Sequence, residues 1–332
     1  MSAKTSLILA GDIGGTKSNL AVFADGDPLR PLAEGSFASS AYRDLETMVG
    51  EFLSGCGHTV RRAAFGVAGP VIEGRVKLTK LSWVIEQEAF RQALDLDRVV
   101  VVNDLVATAN GIGVLPATDL ICLNHGLPVE HGPMAVIAPG TGLGEAMMFW
   151  DGQRYQTQAT EGGHALFSPA SRQQLALAGF LFERFGAVSY DFLASGRGLP
   201  HIYEFLRQAG AYDEPAWLAQ ALAAASDPAP VIAEAGLDSK AATPLCRAVL
   251  QLFVEVLAVE SANLALKALS TGGLYIGGGI PPRIAPIFIE AFVPAFVGQG
   301  LLREVLAAMP IHLITNPKTA LLGAAHLAMT AP

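Results

Sequence analysis

The chain has 332 residues, enough for two α/β units of about 150 residues each. With 51% hydrophobic and only 16% charged residues, a disordered or charge-solvated chain and a coiled coil are excluded. Lys and Arg number 22 against 30 Asp and Glu, a net charge of -8, so no basic footprint for nucleic acid exists and an anionic ligand must be met by local groups.

Leu7 to Phe23 reads as a strand, a tight glycine turn and a returning strand, followed by a hairpin turn at Asp25-Gly26. The turn, GDIGGTKS from Gly11 to Ser18, misses the phosphate-loop pattern GxxxxGK[ST] at Thr16 and opens onto a strand instead of a helix. Its amides can cradle phosphate from a β-hairpin turn. A carboxylate at Asp12 would repel that phosphate unless a divalent cation lies between them, which makes Asp12 a candidate Mg²⁺ ligand, directly or through water.

Next come a helix at Tyr42 to Cys56, strands at RRAAFGVAG and RVKLTK, a helix at Ile85 to Leu96, and a buried strand from Arg98 to Asp104. Asp104, where the valine run stops, fits two roles: general base at the carboxyl end of a strand, or N-cap of the helix that follows. Met134 to Ala138, PGTGLG, EAMMFW and Asp151-Gly152 then repeat the strand, glycine turn, strand and hairpin turn about 127 residues on, predicting two related halves. In PGTGLG, Gly140, Thr141 and Gly142 can offer N–H groups and a hydroxyl to a second phosphate.

EGGHALF sets Glu161 and His164 three residues apart. Two ligands are too few for zinc, and hydrogen bonding to a polyhydroxylated substrate suits the pair better. Helical stripes follow at Arg172 to Phe185, Leu199 to Ala209, Pro215 to Ala225 and Ala242 to Leu269. The most apolar stretch, Ala248 to Leu269, carries Glu255, Glu260 and Lys267, so no membrane span is expected. GGGIPPR closes a strand and opens a helix, and Gly277, Gly278 and Gly279 would let a nucleoside lie against backbone. The strand PIHLITN and a helix at Thr319 to Met329 end the reading. Cys56, Cys122 and Cys246 lie far apart outside any CxxC pattern, which points to reduced thiols in a cytoplasmic protein.

The glycine turn with Asp12, GVAGPV, the Asn103-Asp104 pair, PGTGLG, EGGH and GGGI occur in an order that resembles the bacterial glucokinase family, a branch of the sugar kinase/actin/heat-shock ATPase superfamily. The resemblance runs through NPKTALLGAAHLA near the C-terminus. It implies an α/β, ribonuclease H-like/actin-like ATPase fold with a duplicated mixed-sheet core. The small lobe would be 1-112 plus 317-332 and the large lobe 113-316, with the sugar and ATP cleft between them.

It also implies ATP-dependent phosphorylation of glucose at O6, with Asp104 as general base. Asn103, Glu161 and His164 would bind sugar hydroxyls. Gly11, Asp12, Gly14, Gly15, Thr16 and Gly140 to Gly142 would hold phosphates and Mg²⁺, and Gly277 to Gly279 would face the nucleoside. The family's further sugar-binding glutamate falls at Asp191, one methylene shorter, and Lys80 stands where asparagine is usual. The zinc-binding cysteine cluster of related regulators is missing. So is a DNA-binding helical domain, since the first strand begins by residue 7. A homodimer is implied by the resemblance alone. A kinase for mannose, fructose or an N-acetylated sugar, and a sugar-responsive regulator without turnover, stand as alternatives.

Overall fold

The structure is a computed structural model that describes residues 6–78, 81–238, 243–298 and 300–331. It divides into two units, Met1–Asp119 with Asn316–Pro332, and Leu120–Thr315.

In unit 1 the described strands run β1 (Leu7–Ile13), β2 (Lys17–Ala24), β3 (Pro31–Ala38), β4 (Arg62–Val67), β5 (Arg75–Lys77), β6 (Val84–Glu86) and β7 (Arg98–Asn103). Five of them form a sheet in the order β3-β2-β1-β4-β7, while β5 and β6 pair in a separate ribbon. β1 pairs antiparallel with β2, and β2 with β3; β1 with β4 and β4 with β7 are parallel. Alternate residues of β1 point to opposite faces. Leu9 joins Phe65, Met48 of α1 (Leu45–Cys56) and Phe90 of α2 (Gln87–Ala93) on one side. Ile8 and Ala10 meet Leu321, Ala324 and Ala328 of the C-terminal helix, Thr319–Thr330, on the other. That helix packs against α3 (Asp104–Ile112) at contact distance, because a Cβ at Gly323 would collide with the Ala107 carbonyl.

Unit 2 repeats the plan. Its described strands are β8 (Leu120–Asn124), β9 (Met134–Pro139), β10 (Leu143–Trp150), β11 (Tyr155–Thr160), β12 (Gly273–Ile276) and β13 (Ile311–Ile314), in the order β11-β10-β9-β12-β13-β8. β9 to β11 are antiparallel neighbours and β9-β12-β13 are parallel, as in unit 1, with β8 added antiparallel at the edge. This duplicated mixed sheet is the expected ribonuclease H-like/actin-like core. Its helices are α4 (Arg172–Phe185), α5 (Tyr190–Leu193), α6 (Gly198–Gln208), α7 (Ala216–Ala224), α8 (Pro228–Leu237), α9 (Pro244–Ala268), α10 (Ala285–Val297) and α11 (Arg303–Ala307). α9 is apolar over most of its surface, with Arg247, Gln251 and Lys267 exposed, and is long enough to cross a membrane, but 78% of its most apolar window is buried, against α6, α8 and α10 among others. It is the core helix of the unit.

Several expectations change. The helix expected over Ile85 to Leu96 begins only at Gln87: Val84–Glu86 alternates exposed, buried, exposed and pairs with β5, a strand period that outweighs the helical one. β3, β8, β11, α5, α8 and α11 were not foreseen as elements. The unit boundary falls after Asp119 instead of at 112, because Val114 and Leu115 pack with the C-terminal helix and Asn316 Nδ2 donates to Asp119 Oδ2 at 2.7 Å.

Candidate active site

In unit 1 the strand register aligns three motifs. Asp12 of β1 is level with Gly66 of β4, and Val67 of β4 is level with Asn103 of β7. The first glycine turn, GVAG and the Asn103-Asp104 pair therefore end three adjacent parallel strands at the same edge, the usual ligand edge of such sheets.

The first turn is a strand-to-strand hairpin, as its flanks predict. Gly14 N–H donates to the Lys17 carbonyl at 3.1 Å, and a Cβ at Gly14 would lie 2.7 Å from that oxygen. Ser39 ties the turn from outside: its Oγ donates to the Gly14 carbonyl at 2.7 Å and its N–H to the Thr16 carbonyl at 3.0 Å. Asp12 accepts from Asn19 Nδ2 at 3.4 Å, and Asn19 Oδ1 accepts from Ser36. Burial raises the Asp12 carboxyl above its ordinary value, opposed by the Asn19 hydrogen bond and the charge of Lys17.

Asn103, not Asp104, caps α3: its Oδ1 accepts from Leu105 N–H at 2.9 Å and its Nδ2 donates to the Gly69 carbonyl at 3.1 Å. Asp104 is the first helical residue, and its Oδ1 also accepts from Leu105 N–H, at 2.9 Å. The cap role expected for Asp104 passes to its neighbour because only Asn103 has the extended backbone that a cap requires.

In unit 2 the second glycine turn joins β9 to β10. Gly140 N–H donates to the Gly142 carbonyl at 2.8 Å. Of the residues expected to meet phosphate, Gly11 lies inside β1, level with Leu20 and Phe65, and the amides of Gly14 and Gly140 are used inside their own turns; Gly15, Thr16, Thr141 and Gly142 remain as candidates. Glu161 and His164 flank a short 3-10 turn, exposed, with Oε2 and Nε2 3.9 Å apart.

Asp191 departs most from expectation. It is 14% exposed, its Oδ1 accepts from Leu143 N–H at 2.8 Å, and its Oδ2 meets Arg197 at 2.5 Å, so both oxygens face the glycine turn. Lys80 lies outside the described residues.

Gly140, Thr141 and Gly279 line a cavity of about 810 Å³ within unit 2, together with Arg197, Arg283, His201, Asp227 and Glu234. His201 stacks on Phe192 at a centroid distance of 4.8 Å. Gly278, behind Gly279, has φ +82 and abuts the Pro139 carbonyl, which sets the third glycine cluster directly against the second. Sequence reasoning missed Arg197, Asp227 and Glu234. A helix-start signal at Asp227-Pro228 was available: Asp227 Oδ1 accepts from Ala229 N–H at 3.0 Å with proline in the first turn.

A duplicated actin-like core with a glycine turn opening each sheet places the chain among actin-like ATPase-fold proteins. The glucokinase family model matches residues 9–331. The glucokinase of Nostoc punctiforme is 35% identical over 336 residues, covering 96% of this chain and 98% of its own. A glucokinase from an Antarctic psychrotroph superposes with a TM-score of 0.82 at 28% identity, covering 98% of this chain and 99% of the other. A ROK family glucokinase from Streptomyces griseus, solved with glucose and AMPPNP, has a TM-score of 0.65 at 21% identity over 97% of this chain and 99% of its own. The chain belongs to the glucokinase family.

Proposed function

We propose that the chain transfers the γ-phosphoryl group of ATP to the 6-hydroxyl of D-glucose. The observation that supports this most directly is the strand register that brings Asp12, Gly66 and Asn103-Asp104 to one sheet edge. A phosphate turn, its cation ligand and a carboxylate base are then supplied side by side from a rigid scaffold.

Asp104 accepts the proton of the attacking hydroxyl. Asn103, fixed by its cap and by Gly69, is the sugar ligand of unit 1, and Glu161 and His164 are those of unit 2. Gly15, Thr16, Thr141 and Gly142 meet phosphate oxygens through backbone amides, so a chain of net charge -8 can bind a polyanion. The cavity with Gly279, His201 and Asp227 takes the nucleoside.

Asp12 fits a magnesium ion: a half-buried carboxylate beside the Asn19 amide is a hard oxygen donor whose shell phosphate and water can complete. When bound, the ion supplies charge neutralisation on the transferred phosphoryl group. The same reading carries a cytoplasmic homodimer. The decisive experiment is hexose-dependent ADP release with ATP and Mg²⁺ across glucose, mannose, fructose and N-acetylglucosamine. Release with glucose at far lower concentration than with the others supports the reading, and no release with any sugar overturns it.

A further inference from the structure

We infer that Glu145 is a positioning residue for the sugar: buried beneath the EGGH turn beside Glu260, it sets where Glu161 and His164 stand. This rests on the kinase reading, in which those two side chains bind sugar hydroxyls.

The turn lies directly on Glu145. Glu145 is opposite Thr160 in the β10-β11 ladder, and a Cβ at Gly162 would collide with its Oε2. Thr160 Oγ1 accepts from Gly162 N–H at 3.1 Å, and a Cβ at Gly163 would collide with the Leu143 carbonyl. A side chain at either glycine would lift the turn off β10, and the residues flanking the pair are Glu161 and His164. The height of the turn over the strand is thus fixed by the carboxyl group under it.

The far end of the same segment is seated on the same buried polar layer. Glu260 of α9 accepts from Asn263 Nδ2 at 3.0 Å, and that nitrogen also reaches the Tyr190 hydroxyl at 3.5 Å. Tyr190 of α5 donates from its hydroxyl to the Ser168 carbonyl at 3.2 Å and from its N–H to the Ala165 carbonyl at 3.0 Å. Residues 161 to 168 are therefore held from below at both ends, while the Glu161 and His164 side chains stay exposed.

The layer holds its shape only while Glu145 is neutral. Its Oε1 and that of Glu260 have no hydrogen-bond partner among the described residues, so a second buried charge there would go uncompensated. Burial, and then the charge of Glu260, push the Glu145 carboxyl up to about 8, so it is protonated at neutral pH. The other groups facing it are Lys267 of α9, 4.0 Å from Glu260, Tyr190 of α5, and Glu161 and His164 of the turn itself. Ionisation sets two buried negative charges side by side beneath Gly162, and their repulsion displaces the turn that carries the sugar ligands.

The test compares Glu145→Ala and Glu145→Gln with the wild type, by KM for glucose and for ATP and by titration of glucose without nucleotide from pH 7 to pH 9. Thermal unfolding establishes that each variant is folded. Glu145→Ala leaves the turn unsupported and should raise KM and the dissociation constant for glucose roughly tenfold, with KM for ATP within about twofold. Glu145→Gln keeps the shape without the titration and should retain the wild-type glucose affinity at pH 7. Wild-type glucose affinity should fall roughly tenfold from pH 7 to pH 9, the loss expected where binding needs a proton held at about 8. Glu145→Gln should lack that fall, and the titration of His164 is common to both proteins and cancels in the comparison. Where Glu145→Ala does not fold, the two pH profiles decide.

Equal rises in KM for glucose and ATP in Glu145→Ala make the role merely structural and overturn the inference. Glucose affinity that falls with pH alike in the wild type and Glu145→Gln, or stays level in both, overturns it as well. A wild type that phosphorylates glucose, with glucose affinity unmoved in Glu145→Ala, removes the inference alone. A wild type that neither binds nor phosphorylates glucose removes the kinase reading with it.

Discussion

Glu145 and Glu260 lie in the interior of unit 2, 2% and 1% exposed, close enough for the charge of Glu260 to act on the Glu145 carboxyl. Burial pushes the Glu145 carboxyl up to about 8, and the charge of Glu260 adds to the rise. Glu260 is raised by burial too and is relieved by Asn263, which donates to its Oε2 at 3.0 Å, and by Lys267 at 4.0 Å. The pair sits under the EGGH turn: Glu145 is opposite Thr160 in the β10-β11 ladder, and a Cβ at Gly162 would collide with its Oε2.

The first prediction is a pH dependence of stability. Between the unfolded value of 4.5 and the folded value of about 8, the native state holds a proton at Glu145 that the unfolded chain has lost. Stability therefore falls with rising pH across that window, by ~1.4 kcal/mol per pH unit from this group, and levels off above it. Glu145→Gln keeps the shape and removes the titration. Its advantage over the wild type in urea unfolding should widen from pH 5 to pH 8, whereas parallel curves would mean that Glu145 titrates normally.

Asp104→Asn separates chemistry from folding. Because Asn103 supplies the cap of α3, the variant keeps the helix start and should unfold within about 0.5 kcal/mol of the wild type. Loss of the base should lower kcat by roughly 10²–10⁴ with glucose affinity little changed. Asn103→Ala behaves in the opposite way, since it removes both the cap and the bond to Gly69. That loss should cost about 1 kcal/mol of stability. Near-normal kcat in Asp104→Asn would remove Asp104 from the base role.

Much of this architecture is legible in the sequence because it is written locally. LILA and MAVIA are unbroken strand formers, and the glycines after each mark the turns, so the repeat of the sheet plan shows without any structure. β3 escapes because PLAEGSFA is half-exposed with few strand formers, and its strand state comes from pairing with β2. Asp191 and Arg197 are six apart in sequence, yet what they do depends on β10 arriving beside them, which no local pattern records. Glu145 reads as an ordinary strand residue, and its shifted titration comes first from its burial in the fold and then from the charge of Glu260, far along the chain.

Two neighbouring glycines should respond differently to alanine. Gly278 has φ +82 and a backbone oxygen where a Cβ would go, so Gly278→Ala should destabilise unit 2 by more than ~1 kcal/mol. Gly279 meets nothing within 4 Å at its Cβ position and lines the cavity. Gly279→Ala should therefore leave the melting temperature unchanged and raise KM for ATP severalfold, without effect on KM for glucose. A methyl that changes neither KM would place the nucleoside elsewhere in the cavity.

Asp12 sets function against stability. Its carboxyl is raised above the unfolded value of 3.8 by burial, so the native state binds its proton more tightly, and stability falls as pH rises from 3.8 through the folded value. At neutral pH the charge is a liability that Asn19 and Lys17 relieve only in part, and a bound cation relieves further. Asp12→Asn removes the charge and keeps a polar partner for Asn19, so the variant without Mg²⁺ should be more stable than the wild type at pH 7. It should also need a much higher Mg²⁺ concentration for half-maximal rate, since the remaining donors are neutral. Thermal unfolding with and without Mg²⁺-nucleotide, alongside a Mg²⁺ titration of the rate, checks both sides. A variant less stable than the wild type, with an unchanged Mg²⁺ requirement, would make Asp12 a structural residue of the turn.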